Sequence, residues 1–575
     1  MRYQKLLGKQ IHLISNYNIS NNLLMSQRIR TIKTQTKWPA DNMRHLIYVC
    51  RCHSSHRSSG RSTSIYLLAV LFALLIATPS EPQIAPADTS IDGQRYTLRP
   101  IETLIAQLGR NTSIPIRYRH TAFQGRMFTT LDTVHAPLDL EDIHFLDEVA
   151  LNDVVFAAPV RIRQTVFANG LTLQRSRFLA PVDFNASRFH KHATFKAAKF
   201  RAGVDFSASR YTGIASFIGA DFAGRETTFT RTAFGNAAYF ASARFTSRTN
   251  FQDTAFADLA SFKETLWQQN VSFAGARFTG RALFWDARFA AETTFATARA
   301  DGEIAFNRAA FNGPASFAGF IFGQSALFNR ATFADEATFA GAYFRKKADF
   351  TDGTFRGDLR LNAIFNHSLD LRRARITLLD LQRPVNSDSL FATGARLYLQ
   401  QAHYQNILAH WHPLANHLAA SDTLSPDDLE PVYANLRRHL QAQGLKGDAD
   451  ACFVEALEHQ RRHTAWTDPG FYALSLLHTT TLYGTDPIRF ASTVLCAVLL
   501  FGLAYRLGRS AIATPHDDSP PSLAACLLFS VQTFIRHCAP SLRPIGPLRW
   551  LVCLQALLGW LCLGLLVAIL LSRLA

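Results

Sequence analysis

Cysteine is missing from residues 53–451; the eight in the chain sit at 50, 52, 452, 496, 526, 538, 553 and 562. A disulfide framework therefore does not order the middle of the chain. Methionine is scarce too, with 4 residues against 45 Phe. Ordinary cores do not need that bias, and most of the Phe lie between Phe167 and Phe355, so one segment uses Phe as a building rule. Acidic residues are in deficit, 43 against 60 basic ones, which gives a net charge of +17 and a pI near 9.7. Such a balance suits an anionic partner: a membrane surface, an acidic polysaccharide or nucleic acid. There is no Gly-rich phosphate loop, no nucleophile elbow and no Ser, His and Asp set that geometry would bring together. The sequence thus marks no catalytic residue, calls for no cofactor and reads as a non-enzyme.

What the chain does have is a count. In ARFTGRALFWDARF, Phe278, Phe284 and Phe289 are spaced six and then five residues apart, with Ala276, Ala282 and Ala287 two places before them. The same alternation runs from Phe178 through Phe295 to Phe355, broken by one inserted residue at AGRETT, which makes an eleven-residue period. On an α-helix, steps of five and six would turn side chains by about 140° and 240° and scatter the rings, so a coiled coil is excluded. In extended chain, residues i and i−2 share a face, so each Phe and its Ala point inward together. Four sides of 5, 6, 5 and 6 residues give a square coil of about 22, with every fourth Phe stacked at the strand spacing of about 4.8 Å. Phe278, Phe284, Phe289 and Phe295 with Ala276, Ala282 and Ala287 then form a core ladder. Arg277, Arg281, Asp286 and Arg288 face outward, and the three arginines offer a surface for an anionic partner.

This A-x-F pattern resembles the pentapeptide-repeat family in its Phe-centred, double-repeat form. The resemblance implies a mainly β fold, a right-handed quadrilateral β-helix. It covers roughly 240 residues; Ala300 stands where a Phe is due, and the pattern thins to Val134, Leu140, Leu151 and Ile162 at one end and to Leu361, Leu371, Ile376 and Leu381 at the other.

Three apolar stretches speak for location. Residues 65–77 (IYLLAVLFALLIA) follow Arg51, Arg57 and Arg61 and have the length of an export signal's core, with 85–87 (Ala-Pro-Ala) as a cleavage candidate or an uncleaved anchor as the alternative. Residues 488–507 and 550–571 are each long enough to span a membrane. The connection between them carries Arg506, Arg509, Arg536, Arg543 and Arg549 against Asp517 and Asp518, so the positive-inside rule puts it in the cytoplasm. A shorter stretch, 523–535, suits a re-entrant or interfacial helix. Span, short helix and span resemble the pore module of two-transmembrane potassium channels, but IRHCAPSLRPIG supplies no carbonyl ring, and Arg536 would repel a cation. The stretch LQALLGWLCLGLLVAILLSR resembles the closing span of membrane-bound pentapeptide-repeat proteins.

The chain accordingly divides into an extension with an export signal or anchor (1–87), an N-terminal cap (88–122) with a helix near 100–108, the solenoid (123–382), a helical connector (383–484) and a membrane region (485–575). In the connector, 395–418 reads as a helix interrupted near Pro413. A second helix from Ser425 to Gly444 has an apolar face of Leu429, Val432, Tyr433, Leu436 and Leu440, and a third runs from about 448 to 463.

Metal-capable residues cluster at His403, His410, His412 and His417, at Cys50, Cys52, His53 and His56, and at Glu141, Asp142, Asp147, Glu148 and Asp153. None has the spacing of a tight ligand set, and a polar helix face, targeting charge and solvated corners are the plainer readings. Residues 171–360 carry an excess of about eight positive charges. That sign is wrong for the DNA mimicry by which some pentapeptide-repeat proteins protect topoisomerases, so no nucleic-acid role is expected. The expectation is a bacterial inner-membrane protein with an exported rod that binds another envelope protein or an anionic polymer; the alternative is a channel-like or transport-associated module.

Overall fold

The computed structural model describes residues 87–128, 131–384, 389–415, 417–418, 426–508, 512–513, 521–535 and 542–574. The repeat region is a parallel β-solenoid of about 13 turns. Most strands are two or three residues long, and most pair with the strand 22 residues on: Phe167 beside Phe189, Phe178 beside Phe200, Val182 beside Val204, Ala193 beside Ala215. Three other strands intervene between partners, so each coil has four sides.

Two kinds of corner explain the alternating count. From Phe284 to Phe289 the chain closes a β-turn in which the Ala287 N–H donates to the Phe284 carbonyl at 3.2 Å and Asp286 has φ of 56°. Ala186 and Arg308 take the same conformation at equivalent corners. A positive φ at the third turn residue reverses the chain in the fewest residues. From Phe278 to Phe284 the corner at Thr279 and Gly280 has no positive φ, and it uses the sixth residue. The inserted residue of AGRETT is absorbed at this looser kind of corner, where Gly224 has φ of 93° and a Cβ would lie 2.5 Å from the carbonyl carbon of Ala202.

Inside, the rings stack coil upon coil. Phe284 and Phe306 are 4.7 Å apart, Phe289 and Phe311 4.5 Å, Phe295 and Phe317 5.1 Å, all within 12° of parallel. Neighbouring stacks meet edge to face, as Phe284 meets Phe295 at 5.5 Å and 90°. Both geometries suit the ring quadrupole, and each buried Phe contributes about 1.5–3 kcal/mol against the entropy of ordering the coil. In the earlier coils the small inward residue is often Ser or Thr. The hydroxyls of Ser209, Thr232 and Thr254 donate to the carbonyls of Phe184, Phe206 and Phe229 in the preceding coil at 2.7–2.8 Å.

The ends of the stack are closed. At the start, a hairpin of Ala87–Ile91 and Gln94–Pro100 leads into α1 (Glu102–Leu108), whose Leu104 and Leu108 cover the first rings. Ile116–Gln124 already pairs in parallel with Leu138–Phe145, so the coil starts before residue 123. At the other end the helix expected over 395–418 is not formed. Arg396–Tyr398 and His403–Leu408 are strands laid on Ser368–Asp370 and Arg375–Asp380. The buried residues Ala395, Leu397 and Leu399 alternate, and the open edge of the preceding coil supplies partners for their backbone. Among the described residues there, only α2 (Trp411–Leu414) is helical.

Helices α3 (Pro426–Ala442) and α4 (Lys446–His463) then close the end. Leu429, Val432, Tyr433, Leu436 and Leu440 of α3 and Cys452 of α4 are buried in one core with the rings. Burial pushes the Cys452 thiol up to about 12. A helix not anticipated from sequence, α5 (Pro469–Thr481), starts at Asp468, whose carboxylate accepts from the Gly470 N–H. Next come α6 (Pro487–Leu507), α7 (Leu523–Ile535) and α8 (Leu548–Leu574). Residues 487–507 and 548–568 are long and apolar enough to cross a membrane; α7, at 13 residues, reaches only about 20 Å of the roughly 30 Å required.

Candidate interaction surface

Because successive coils are one strand spacing apart, every outward side chain has a neighbour directly above and below it. On much of the rod a cation meets an acid in this way. Arg175 makes a two-pronged pair with Asp153 at 2.7 and 2.6 Å, Arg308 with Asp286 at 2.7 and 2.5 Å, and Arg373 with Asp352 at 2.7 and 3.0 Å. The arginine hydrogen bonds hold each of these carboxyls below its ordinary range.

The residues expected in the core ladder, Phe278, Phe284, Phe289, Phe295, Ala276, Ala282 and Ala287, are fully buried. Arg277, Arg281 and Arg288 are exposed. Two of them are already answered, Arg277 by Asp301 at 3.4 Å and Arg281 by Glu303 at 3.0 Å. Arg288 makes no ion pair among the described residues.

A different set stands out in the coils around residues 175–210. Arg188 lies in register beside Arg210, and Arg177 beside Lys199. All four are exposed, and none has an ion pair among the described residues. The exposed His190 and Lys191 lie at the corner next to Arg188. Like charges directly opposite on adjacent strands are destabilising. Sequence counting put the cations outside but could not tell paired from unpaired, because pairing depends on what stands 22 residues away. That register, once known, is the signal that finds Arg177, Arg188, Lys199 and Arg210.

The two metal-capable clusters that lie within the described residues are not assembled. Among the described residues no group of three or more His, Cys, Asp and Glu is placed to hold a metal ion. His403 Nδ1 lies 2.9 Å from the Gln401 carbonyl, His410 Nδ1 3.2 Å from Asp448, and His417 Nδ1 2.9 Å from the Ala395 carbonyl, each in a separate place. The acids of the first coils are likewise engaged one by one: Glu141 with Arg119, Asp142 with His120 and the Tyr96 hydroxyl, Asp147 with the Gly125 N–H, and Asp153 with Arg175. Cys50, Cys52, His53, His56, the 65–77 stretch and Arg536 lie outside the described residues.

The helices that follow hold a polar network that sequence reading did not single out. The Tyr505 hydroxyl of α6 donates to Gln555 Oε1 of α8 at 2.6 Å. The Gln555 amide donates to the carbonyl and hydroxyl oxygens of Ser530 in α7 at 2.9 and 2.7 Å, and the Ser530 hydroxyl donates to the Val498 carbonyl at 2.7 Å. All three side chains are fully buried. A lone Gln in LVCLQALLGW was the available signal, since a polar residue in a span usually serves helix contacts.

No protein-family model, no curated protein and no solved structure matches the chain.

Proposed function

We propose that the chain is a membrane-anchored protein of the pentapeptide-repeat type, in which the Phe-laddered rod is a non-enzymatic binding surface for an anionic polymer of the bacterial cell envelope. One observation carries this reading: Arg188 beside Arg210, and Arg177 beside Lys199, none with an ion pair among the described residues, on a rod that pairs many of its other cations; the one acid in register with them, Asp221 beside Lys199, is taken by Arg201 at 3.0 Å. Repulsion between stacked cations costs the fold stability, and a polyanion lying across the coils would remove it while releasing its own counterions. The two apolar helices support a membrane anchor, and the basic connection between them supports the inner membrane with the rod on the outer side.

The test is binding of fluorescent polygalacturonate to the full chain in zwitterionic nanodiscs. Binding that weakens with salt, and that falls at least tenfold in a variant with Arg177, Arg188, Lys199 and Arg210 all changed to Gln, is expected. Changing the paired Arg277 and Arg281 to Gln should matter much less. Equal binding by both variants would overturn the assignment of the surface, and a rod protected from external protease in spheroplasts would overturn its export.

A channel-like reading draws on one observation, the short α7 packed between α6 and α8. Ion conductance by the reconstituted full chain is the measurement that would favour it.

A further inference from the structure

The closing helices α3 and α4 leave a cavity of about 180 Å³ between them, lined by Leu429, Tyr433, Arg437, Phe453, Leu457 and His459. A single water needs about 10–15 Å³, so the space admits a small organic molecule. Its walls are mostly apolar, and two polar atoms in them lack partners. Arg437 Nε and His459 Nε2 are both buried without a hydrogen bond among the described residues. The guanidinium carbon of half-buried Arg437 lies over Phe453, 3.9 Å from the ring centroid, and this cation–π contact helps to hold it against the cavity wall. Exposed Glu430 also lines the cavity, and no hydrogen bond or ion pair joins it to Arg437.

Leaving a buried guanidinium N–H unmade costs more than an average hydrogen bond contributes. An acceptor that carries negative charge would satisfy it, and Leu429 and Leu457 would cover an apolar body attached to that acceptor. Residues 447–458 of α4 line a common hollow with Leu482 to Ile488 at the start of the long apolar α6, so on the proposed membrane anchoring the cavity would lie near the bilayer surface.

We propose that the α3–α4 cavity binds a monoanionic amphiphile, an acyl carboxylate whose head is held by Arg437 and whose chain lies against Leu429 and Leu457. The site is independent of the polyanion surface on the rod, and its ligand would report membrane composition to the end of the solenoid.

The experiment uses the full chain in phosphatidylcholine nanodiscs, with carboxyl-labelled decanoate as probe and empty nanodiscs as background. Wild type should bind decanoate saturably at one per chain. Arg437→Gln should weaken binding at least tenfold, Leu457→Trp should fill the cavity and abolish it, and Arg438→Gln, which alters an exposed neighbour, should leave it unchanged. Decanol and inorganic phosphate, which each lack one half of the ligand, should bind at least tenfold more weakly. Wild-type affinity in Arg437→Gln, or decanol binding as tightly as decanoate, overturns the proposal. Phosphate binding as tightly as decanoate overturns the amphiphile and leaves a simple anion site. Should Leu457→Trp fail to fold, as judged by circular dichroism, the comparison of Arg437→Gln with Arg438→Gln still decides.

Discussion

Phe320 stacks face to face on Phe322, with ring centroids 4.0 Å apart and planes 14° from parallel. The other face of Phe322 is taken by Phe344 at 4.4 Å, so Phe320 lies on the side of the preceding coil, where Ala300 supplies no ring. Elsewhere in the ladder the residue two before the ring carries no ring of its own and is often alanine, as at Ala276, Ala309 and Ala342. The two departures from the repeat therefore compensate each other. Phe320→Ala should cost about 3–5 kcal/mol by opening a cavity, and Ala300→Phe about 1–3 kcal/mol by overpacking. The double variant restores the ordinary ladder and should be more stable than either single one. Hydrogen exchange over residues 293–345 of the full chain is the readout. A double variant no better than the sum of its parts would show that the rings do not share this space.

Tyr211 stacks between Phe189 and Phe234 at 4.5 and 4.8 Å, fully buried, and its hydroxyl has no partner among the described residues. An unmade buried hydroxyl costs about 1–3 kcal/mol, so Tyr211→Phe should stabilise the rod by about 1 kcal/mol. A lower melting temperature in that variant would mean that the hydroxyl is satisfied, by water for instance.

Thr297 occupies a tight corner with φ of 57°, and Gly319 occupies the same corner one coil later with φ of 65°. The left-handed region costs an L residue about 1–2 kcal/mol, more keenly felt by a β-branched one, while glycine adds about 0.5–1 kcal/mol of chain entropy to be lost. Thr297→Gly should therefore raise the melting temperature slightly and Gly319→Thr should lower it. The opposite order would contradict the corner geometry.

How much of this was legible in the sequence depended on whether a feature repeats. The coil was readable because Phe and its small partner at i−2 recur many times, and each recurrence imposes the same two-faced constraint. Residues 395–408 were misread as helix because the deciding factor, the open edge of Ser368–Asp370, is tertiary. Asp468 followed by Pro469 was a visible helix start for α5 that went unused. The unpaired state of Arg188 and Arg437 could not be read at all, because it depends on which side chains packing places beside them.

Glu458 joins α4 to the turn before α6. It accepts from Arg461 at 2.7 and 2.9 Å, from the Tyr483 hydroxyl at 3.1 Å and from Arg462 at 3.2 Å. The Arg461 hydrogen bonds, with help from Tyr483 and Arg462 and against burial, bring its carboxyl down to about 2 from 4.5. A folded pKa below the unfolded one contributes stability that is whole above about pH 4.5 and is lost as pH falls toward 2, at about 1.4 kcal/mol per unit at most. Protection factors of the amides around Tyr483, which remove the intrinsic pH dependence of exchange, should therefore fall between pH 4.5 and 3. In Glu458→Gln that fall in protection should vanish, with protection already low at pH 7. Unchanged pH dependence in the variant would place its cause elsewhere.

Gln555 is the one side chain that hydrogen-bonds both other members of the buried network between α6, α7 and α8, Tyr505 and Ser530. Gln555→Leu removes three hydrogen bonds and should loosen the packing of α6, α7 and α8 by about 1–2 kcal/mol, the scale of polar contacts between membrane helices. Tyr505→Phe removes only one and should cost less. Combined, the two should cost less than their sum, because the Tyr505 bond is already lost with Gln555. Cys526 on α7 is fully buried and reports directly on that packing. With the other cysteines changed to Ser, a maleimide should label Cys526 slowly in the otherwise wild-type chain and faster in Gln555→Leu, while hydrogen exchange in the rod stays the same. Equal labelling in the two proteins would mean that apolar packing alone holds α7 between the long helices.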